Sequence, residues 1–474
     1  MKGEKRELVT GFFAPQNSKT NSVFWLGENK ITREEVPKEA IAEIVKSPKY
    51  PMWLLRHSIG TGEWQEEYAD WTREEYLNGT HDTKIKKYFR NGNLKSLNYN
   101  GMHVPVSESG YSHPVGPIHA GVIEPGHFRF SLEGEHIQSL DIRLGFQTRD
   151  IRKKIIGLSA LPATHMIESI SGDSSVAYST AASRIYEMAS GFSESVDMKL
   201  WRAVLLEVER VAIHIGDIGA IGADIGYYPI HGVCSTERGV PLGIMERLVG
   251  NRFGRFANLP GKVVISEKCN PQVILEILNL LKNLKKTMEF HFSKMRKNPT
   301  IKERLENCGM ITKQQAYRNA YVGMVWRCTG LKGDLRFQED VYKSTPKPMN
   351  LELEELKGDA WSRLLLRYQE VVHSIDWLLE ALPLLNLNLK TLKIQEIAEL
   401  KTKPGIYFQA VEGWRGPVLI SLVLDDKSRV VEGYFRDPSV LNWHSLELAV
   451  RKELIGDFPL NNKSFNLSYV GVDL

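Results

Sequence analysis

Titratable side chains are densest in a glycine- and proline-rich loop at residues 116–130. The loop contains His119, Glu124 and His127, and such a loop can hold reactive groups at the edge of a rigid scaffold. Glu124 can carry protons where partial burial raises its pKa, and His127 can protonate a substrate oxygen because histidine titrates near neutral pH. The alternative interpretation is structural: a tight turn in which the histidines bond backbone carbonyls.

A second group of charged residues lies on a predicted helix at 198–222. Glu207, Arg210 and His214 share one face of this helix, and the rest of that face is apolar. Because charges on a packed face must be paired, an interhelical ion-pair network is favoured over a catalytic role. The glycine-rich segment 216–226 predicts close approach of a neighbouring backbone. It does not predict a dinucleotide-binding turn, since no strand precedes it.

Two β-hairpins are predicted, one on each side of the helical region. Apolar and polar residues alternate over 128–132, and a turn signal follows at 133–135. Near the C-terminus, the predicted strands 418–424 and 429–434 flank a short polar turn. The loop that carries His119, Glu124 and His127 therefore leads directly into the first hairpin.

Helical patterns dominate from about residue 145 to 300. The clearest runs over 270–297, where Asn270 is the predicted N-cap, and another helix is predicted over 359–382, ending before Pro383. The predicted fold class is therefore α+β, with a central helical bundle and N-terminal and C-terminal β-hairpins or sheet around it.

Composition excludes several classes of protein. The chain has 474 residues, of which 42% are hydrophobic and 25% charged, and this indicates a globular protein rather than a disordered or fibrous one. A net charge of +4 is too small to indicate nucleic-acid binding, and no apolar run reaches the ~18 residues of a membrane span. The four cysteines are widely spaced, which predicts reduced, buried thiols rather than a disulfide framework or a cysteine metal site.

The segments 116–130 and 204–226 and the tripeptide Arg436-Asp437-Pro438 resemble a known family of large subunits. This family is shared by membrane-bound group 4 NiFe hydrogenases and the 49 kDa subunit of respiratory complex I. The motifs are most similar to those of hydrogenase-4 and formate hydrogenlyase large subunits and of the metal-free energy-converting hydrogenase-related proteins. The resemblance implies the hydrogenase large-subunit fold for residues 111–474. Residues 1–110 are expected to be an N-terminal docking segment, and a diverged 30 kDa-like segment is one interpretation of it.

Hydrogenases of this family hold nickel and iron with two C-x-x-C pairs, and the chain departs from both pairs. By position, Ser171 and Ser174 replace the first pair, and Ser439 and Asn442 replace the second. Nickel needs soft, anionic thiolates, whereas hydroxyl and amide groups are neither soft nor deprotonated near neutral pH. The resemblance with these four replacements implies no metal in this chain and no NiFe hydrogenase activity.

The resemblance also implies roles for three titratable residues. Glu124 matches the proton-transfer glutamate of the hydrogenase branch. His127 matches the quinone-facing loop histidine of the complex I branch, and Asp224 matches the aspartate coupled to that histidine. The tyrosine that helps to protonate quinone in complex I falls near Glu168 or Ser169 here, and neither residue is tyrosine. A quinone reductase of this kind would therefore need a rearranged site.

Two further residues are expected to line the former metal cavity. Arg415 matches the arginine of a segment that lines this cavity in the family, and His119 lies in the neighbouring loop. Both are candidate cofactor-binding residues. The alternative interpretation of Arg415 is an ion pair with Asp437 or Glu412.

The implied function is that of a large subunit in a complex I-like, membrane-associated, ion-translocating oxidoreductase of the hydrogenase-4 or NADH dehydrogenase type. An iron–sulfur cluster in a small partner subunit would supply electrons, and Glu124, His127 and Asp224 would couple electron transport to proton translocation. The other expected partners are antiporter-like and quinone-module-like membrane subunits, and nucleic acid is not expected. The implied location is the cytoplasm, on the inner face of the cell membrane through these partners.

Two alternatives remain open for the function. One is a non-catalytic structural subunit of such a complex, and the other is a quinone reductase with a rearranged site. No cofactor is expected in this chain itself, while quinone binding stays open. Oxidation of NADH by this chain alone is disfavoured, because it has no nucleotide motif and the family places NAD chemistry in other subunits.

Overall fold

The computed structural model describes residues 110–119, 123–343, 351–393 and 400–474, together with the backbone of four strands between residues 7 and 37. Most of the predicted docking segment 1–110 therefore lies outside the described residues. The described part combines helices with small sheets, as the α+β prediction requires. Among its helices we find none with both the length and the apolar character of a membrane span.

The strands form one large antiparallel sheet, one three-stranded sheet and one short pair. The bounds are β1 (Glu7–Leu8), β2 (Ala14–Pro15), β3 (Thr20–Leu26), β4 (Ile31–Pro37), β5 (Tyr111–Val115), β6 (His127–Glu133), β7 (His136–Arg143), β8 (Asn258–Leu259), β9 (Lys262–Val263), β10 (Gly405–Glu412), β11 (Pro417–Leu424) and β12 (Val430–Arg436). The large sheet has the order β1-β3-β4-β10-β11-β12, with β2 beside β3. N-terminal strands thus join the C-terminal hairpin, through the pairing of Ile31 with Ile406.

Both predicted hairpins are confirmed. In the first, β6 and β7 pair antiparallel with Glu133 opposite His136, and Phe128, Phe130 and Leu132 are at most 1% exposed. In the second, β11 pairs with β12, and β10 extends the sheet on the other side of β11. Period-two alternation identifies β6 because one face of this strand is packed on the protein interior, whereas β11 is buried over most of its length.

Along the chain, helices make up most of the segment between β7 and β10. Their bounds are α1 (Ile151–Lys154), α2 (Ala160–Ile167), α3 (Ser175–Ser190), α4 (Val196–Asp224), α5 (Tyr228–Glu237), α6 (Gly239–Val249), α7 (Pro271–Arg296), α8 (Pro299–Leu305), α9 (Lys313–Asn319), α10 (Gly323–Arg327), α11 (Asp340–Lys343), α12 (Ala360–Lys393), α13 (Pro438–Ala449), α14 (Phe458–Phe465) and α15 (Val470–Asp473). Helix α4 packs against α12, α5 and α6. The prediction for 270–297 is confirmed by α7, whose first turn donates from the Val273 amide to Asn270 Oδ1 over 3.0 Å.

The predicted end of the 359–382 helix before Pro383 is wrong, because α12 continues through this proline to Lys393. Proline in a helix interior lacks an N–H donor and clashes with the preceding turn, which costs about 3 kcal/mol. Leu382 and Leu385 on either side of it are fully buried, and Leu389 is only 4% exposed. Burial of these leucines favours continuation of the helix, and a local sequence rule does not include that tertiary contribution.

The glycine-rich end of α4 packs closely against α5. A Cβ atom at Gly222 would lie 2.3 Å from the Ile230 side chain, so any larger residue would push the two helices apart. The prediction of close backbone approach in this segment is therefore confirmed. The four cysteines, Cys234, Cys269, Cys308 and Cys328, are buried, as the sequence predicts.

The charged face of α4 forms a buried ion-pair network with α12 and the neighbouring loops. Glu207 contacts Arg210 at 3.2 Å, and His214 Nε2 lies 2.8 Å from Glu370 on α12. Arg327 completes the network, with its guanidinium 2.8 Å from Glu370 and 2.6 Å from Glu412. These side chains are at most 3% exposed. The interhelical ion-pair interpretation is thereby confirmed for Glu207 and Arg210, whereas burial lowers the pKa of His214, which joins the network as a hydrogen-bond partner of Glu370.

Substitution of Arg327 by Leu should destabilise the fold strongly. It leaves Glu370 and Glu412 without a cation they now contact, and breaking a buried pair from one side costs roughly 3–5 kcal/mol. Urea unfolding followed by circular dichroism measures this free-energy loss. The matched control is Arg247→Leu, which removes an exposed pair with Glu276 and should cost less than about 1 kcal/mol. Equal losses for the two variants would contradict the assigned role of the network.

Candidate functional site

The two loop histidines make the backbone contacts that the structural interpretation predicts. His119 Nδ1 lies 3.2 Å from the Pro117 carbonyl oxygen, and His127 Nδ1 lies 3.3 Å from that of Gly116. The Gly126 amide also bonds the Pro117 carbonyl at 2.9 Å, which closes the loop just before β6. Each histidine thus bonds a carbonyl at the start of the loop, and the proposed proton-transfer and ligand roles of both stay predictions.

Glu124 lies on this loop and points toward the C-terminal helix α15. Its carboxylate accepts a hydrogen bond from the Val470 amide over 3.3 Å. Partial burial raises the pKa of Glu124, the negative charge of Asp173 raises it further, and the cation of Arg415 lowers it. Glu124 is therefore electrostatically linked to the segments that carry the former ligand positions.

Arg415 forms a bidentate ion pair with Asp173. Its two terminal nitrogens lie 2.8 and 2.7 Å from the two carboxylate oxygens, and its Nε donates to the Asn466 carbonyl at 2.7 Å. The alternative interpretation correctly identified Arg415 as an ion-pairing residue, but the partner is Asp173 rather than Asp437 or Glu412. Trp414, beside Arg415, also donates its indole N–H to the Asp173 carbonyl at 2.8 Å, which adds a second contact between the two segments.

The four positions that match metal ligands are satisfied by hydrogen bonds within the protein. Ser171 and Ser174 donate to one oxygen of Asp173 over 2.7 and 3.2 Å. Ser439 Oγ accepts from the Ser468 amide at 2.9 Å. The fourth side chain, that of Asn442, exchanges two hydrogen bonds of 3.0 Å with the Val322 backbone.

Hydrogen bonds also hold the segment that carries Ser171 and Ser174 next to the segment that carries Ser439 and Asn442. The Tyr178 hydroxyl, at the start of α3, donates to Asp437 at 2.9 Å. Ser468 bridges the segments, because its hydroxyl lies 3.4 Å from that of Ser171 while its amide bonds Ser439. Ser171 and Ser439 are thus brought together, as expected for two segments that match one ligand set.

Asp224 lies at the end of α4 and is exposed. Partial desolvation raises its pKa, and Lys463 on α14 is the charged group that opposes this rise. The charge that acts on Asp224 is therefore that of a lysine on another helix. Its coupling to His127 stays a prediction.

Sequence reasoning missed the residues that connect the site. Asp173 lies between the two serines of the first segment, yet we assigned no role to it, although it is the only charged residue between Ser171 and Ser175. Ser468 and Tyr178 carry no sequence signal of their own, since their contacts link positions that are far apart in the chain. The charge of Asp173, within the segment that matches the first C-x-x-C pair, is the one sequence signal that could have identified this residue.

A small, partly open cavity adjoins the Asp173 side of the site. Apolar side chains from α4 and α6 line most of it, and Glu209 on α4 is its buried carboxyl group. Glu209 accepts a hydrogen bond of 2.8 Å from the Val176 amide in the first turn of α3. Desolvation by burial raises the pKa of Glu209 to about 8, and the charge of Asp173 acts in the same direction.

One other group of potential metal ligands occurs among the described residues: Cys308, Glu453 and Asp457. It includes none of the four former ligand positions. Asp457 already pairs with Arg304 at 2.6 Å, and burial raises the pKa of the Cys308 thiol to about 11, which opposes formation of a thiolate. These contacts favour a structural role.

The family described as "Respiratory-chain NADH dehydrogenase, 49 Kd subunit" matches residues 224–473, more than half of the chain. The chain belongs to this family. It is 27% identical over 277 residues to the membrane-bound hydrogenase subunit alpha of Pyrococcus furiosus, covering 57% of this chain and 64% of the relative. It is 25% identical over 368 residues to formate hydrogenlyase subunit 5 of Escherichia coli, covering 76% and 62%. The recognised resemblance is thus confirmed.

The match covers only part of the length of each of these relatives. The chain spans about three fifths of the length of these two curated relatives, with 64% and 62% covered. A solved chain from the archaeal membrane-bound sulfane sulfur reductase superimposes with a TM-score of 0.67 at 20% identity, covering 78% of this chain and all of that one. At this identity the likeness shows the fold.

Gly323 fixes the turn that presents Arg415, and Gly323→Ala should displace it. A Cβ atom there would lie 2.1 Å from the Arg415 carbonyl oxygen, and the φ of +58° is a left-handed conformation that costs other residues about 1–2 kcal/mol. We expect a loss of more than about 1 kcal/mol in unfolding free energy, measured by urea titration. Gly243→Ala on α6 is the control, since its Cβ meets nothing within 4 Å and alanine favours helices. An unchanged stability of Gly323→Ala would contradict the role assigned to this turn.

Proposed function

We propose that this chain is the large subunit of a complex I-like, membrane-associated, ion-translocating oxidoreductase, and that it has lost the NiFe ligands. In this proposal, electrons come from an iron–sulfur subunit and the chain couples their transfer to proton movement. The names of the relatives support the setting, because they include a membrane-bound hydrogenase subunit and a formate hydrogenlyase subunit. The observation that carries the proposal is the Asp173–Arg415 pair, built among the former ligand positions and electrostatically linked to Glu124.

The groups at the four ligand positions do not fit a nickel–iron centre. They offer three hydroxyls and one amide in place of thiolates. Each of these side chains is engaged by protein partners: Ser171 and Ser174 by Asp173, Ser439 by Ser468, and Asn442 by Val322. The proposal therefore routes no step through nickel.

Proton movement falls to the carboxyl groups that adjoin the ion pair. Glu124 is stabilised as a neutral acid by burial and by Asp173, while Arg415 and the Val470 amide stabilise its charged form. A carboxyl group balanced in this way can accept or release a proton when a nearby charge changes. His127 and Asp224 are proposed as the other members of the proton pathway, with Asp224 exposed at the end of α4.

The proposed partners are a small iron–sulfur subunit beside the former metal cavity and membrane subunits of the antiporter-like and quinone-module types. Membrane association is supported by the relatives, since one is a membrane-bound hydrogenase subunit and the structural neighbour is a membrane complex. Residues 111–474 would form the large-subunit domain, peripheral to the inner face of the membrane. The 1–110 segment would dock to these partners.

A structural subunit is the second candidate, and one observation favours it. His119 and His127 each bond a backbone carbonyl, as they would in a loop that serves only packing. The two candidates differ in what happens when Glu124 loses its ability to carry a proton. The structural candidate predicts no change in proton uptake.

Glu124→Gln should leave assembly intact and reduce the rate of redox-linked proton uptake about 10²–10⁴-fold. The amide keeps the shape of the side chain but cannot bind or release a proton near neutral pH. The measurement uses the native complex purified from membranes, reduced with dithionite and reoxidised in a weak buffer with a pH-sensitive dye. Glu133→Gln is the matched control on β6, since Glu133 is exposed. Unchanged uptake in an assembled Glu124→Gln complex would favour the structural candidate.

Elemental analysis of the same complex should find iron from the partner and no nickel in proportion to this chain. Restoring cysteine at positions 171, 174, 439 and 442 should not recover hydrogen turnover, because the groups that surround the ligands also set metal affinity. The hydrogen bonds that these side chains make to Asp173 and Val322 support this expectation, because cysteines at these positions would not reproduce them. Nickel at one atom per chain in the unmodified complex would contradict the proposal.

A further inference from the structure

The cavity beside α4 contains a carboxyl group that the proposed function does not yet use. Glu209 is 7% exposed, and its oxygen Oε2 accepts the Val176 amide at 2.8 Å. Among the described residues no cation pairs directly with it. The nearest guanidinium on its own helix, Arg210, is engaged by Glu207 and by the carbonyls of Glu412 and Gly413.

Two residues earlier on the same helix, Glu207 lies in the opposite environment. Its carboxylate contacts Arg210 and Arg336, and it accepts hydrogen bonds from Ser374 at 2.6 Å and Tyr342 at 2.9 Å. These cations and donors lower the pKa of Glu207 despite its burial. Glu207 is therefore held as an anion inside the network, whereas Glu209 faces the cavity.

The surroundings of Glu209 favour neither its neutral acid form nor its anionic form completely. Burial and the negative charge of Asp173 favour the neutral acid, and together they place its pKa at about 8. The amides of Val176 and Ala177 in the first turn of α3 favour the anion, as does the more distant Arg210. Arg252 is the other charged group that lines the cavity.

The cavity gives Glu209 access to water. The cavity is partly open to solvent and has room for about one water molecule. Asp173 and the exposed Arg252 line it together with Glu209, so polar groups are available to hold water between the carboxyl and the outside. Asp173 is also the carboxylate that pairs with Arg415.

We infer that Glu209 is a second proton-carrying residue, which exchanges protons with solvent through the cavity and passes them toward the Asp173–Arg415 pair. This inference rests on the proposed function for the destination of the proton. The ability of Glu209 to bind and release a proton through the cavity can be measured without turnover. Glu124, on the loop before β6, is subject to the charges of the same ion pair, so Asp173 raises the pKa of two carboxyls that lie on different elements.

Infrared spectroscopy of the native complex tests the inference through the C=O band of protonated carboxyl groups. The unmodified complex should lose a band of one carboxyl per chain as pH rises through about 8, and Glu209→Gln should abolish that component. Glu168→Gln is the matched control, because Glu168 is also buried with a raised pKa but does not line the cavity. Its substitution should leave the component in place. Persistence of the component in Glu209→Gln would overturn the inference.

Exchange into D₂O tests the route. The Glu209 band should shift promptly on transfer to D₂O, and Ala212→Leu, which fills part of the cavity, should slow this shift at least tenfold. Equal rates in the two proteins would overturn the cavity as the path. If Glu209→Gln fails to fold, Glu209→Asp retains a carboxyl, and its band should move in frequency while still exchanging. A band at the unmodified frequency would then exclude Glu209 as its source.

Thermal unfolding gives a second readout with a defined sign. The pKa of Glu209 is about 8 in the folded chain against 4.5 for an ordinary glutamate, so folded protein binds the extra proton between these values. Stability from this group is complete below pH 4.5 and is lost as pH rises to about 8. The melting temperature of the unmodified complex should therefore fall more between pH 6 and pH 9 than that of Glu209→Gln. Equal falls in melting temperature would contradict the inference. If Glu209 binds and releases its proton as expected but Glu209→Gln leaves redox-linked proton uptake unaltered, the result would count only against the proposed function.

Discussion

The ion pair of Asp173 and Arg415 is the contact on which the site depends. The Arg415 side chain is 8% exposed, and a guanidinium taken out of water loses several kcal/mol unless a carboxylate and further acceptors replace its hydration. Asp173 supplies two oxygens, and the Asn466 carbonyl supplies a third. The pair thereby fixes the loop before α3 against the turn between β10 and β11, two segments more than two hundred residues apart in the chain.

The hydroxyls of Ser171 and Ser174 add to the same carboxylate, and together with Arg415 they lower the pKa of Asp173. The ionised Asp173 then acts on both neighbouring acids, since it raises the pKa of Glu124 and of Glu209. The serine hydroxyls therefore contribute to the electrostatics of the site, although they carry no charge. They help to keep one carboxylate ionised, and that charge favours the protonated form of the other two.

The sequence predicts most of the secondary structure, because periodicity records which residues are buried. The alternation before Glu133 and the helical repeat after Asn270 correspond to β6 and α7. The continuation of α12 through Pro383 could not be predicted, since it depends on tertiary burial of leucines. The same limit applies to Arg415: a charge that must be paired can be recognised from sequence, but the choice of Asp173 over Asp437 or Glu412 depends on how distant segments meet.

Loss of thiolates at a buried site would ordinarily leave polar groups unpaired, at a cost of roughly 1–3 kcal/mol each. Here Ser171 and Ser439 are linked through Ser468, and Asn442 is paired with the Val322 backbone, so hydrogen bonds within the protein join the segments. Arg415 lowers the pKa of Glu124, so any displacement of Arg415 away from the site would raise that pKa and draw in a proton. Under the proposed function, movement of this one guanidinium would therefore be enough to convert a change of charge at the site into proton uptake.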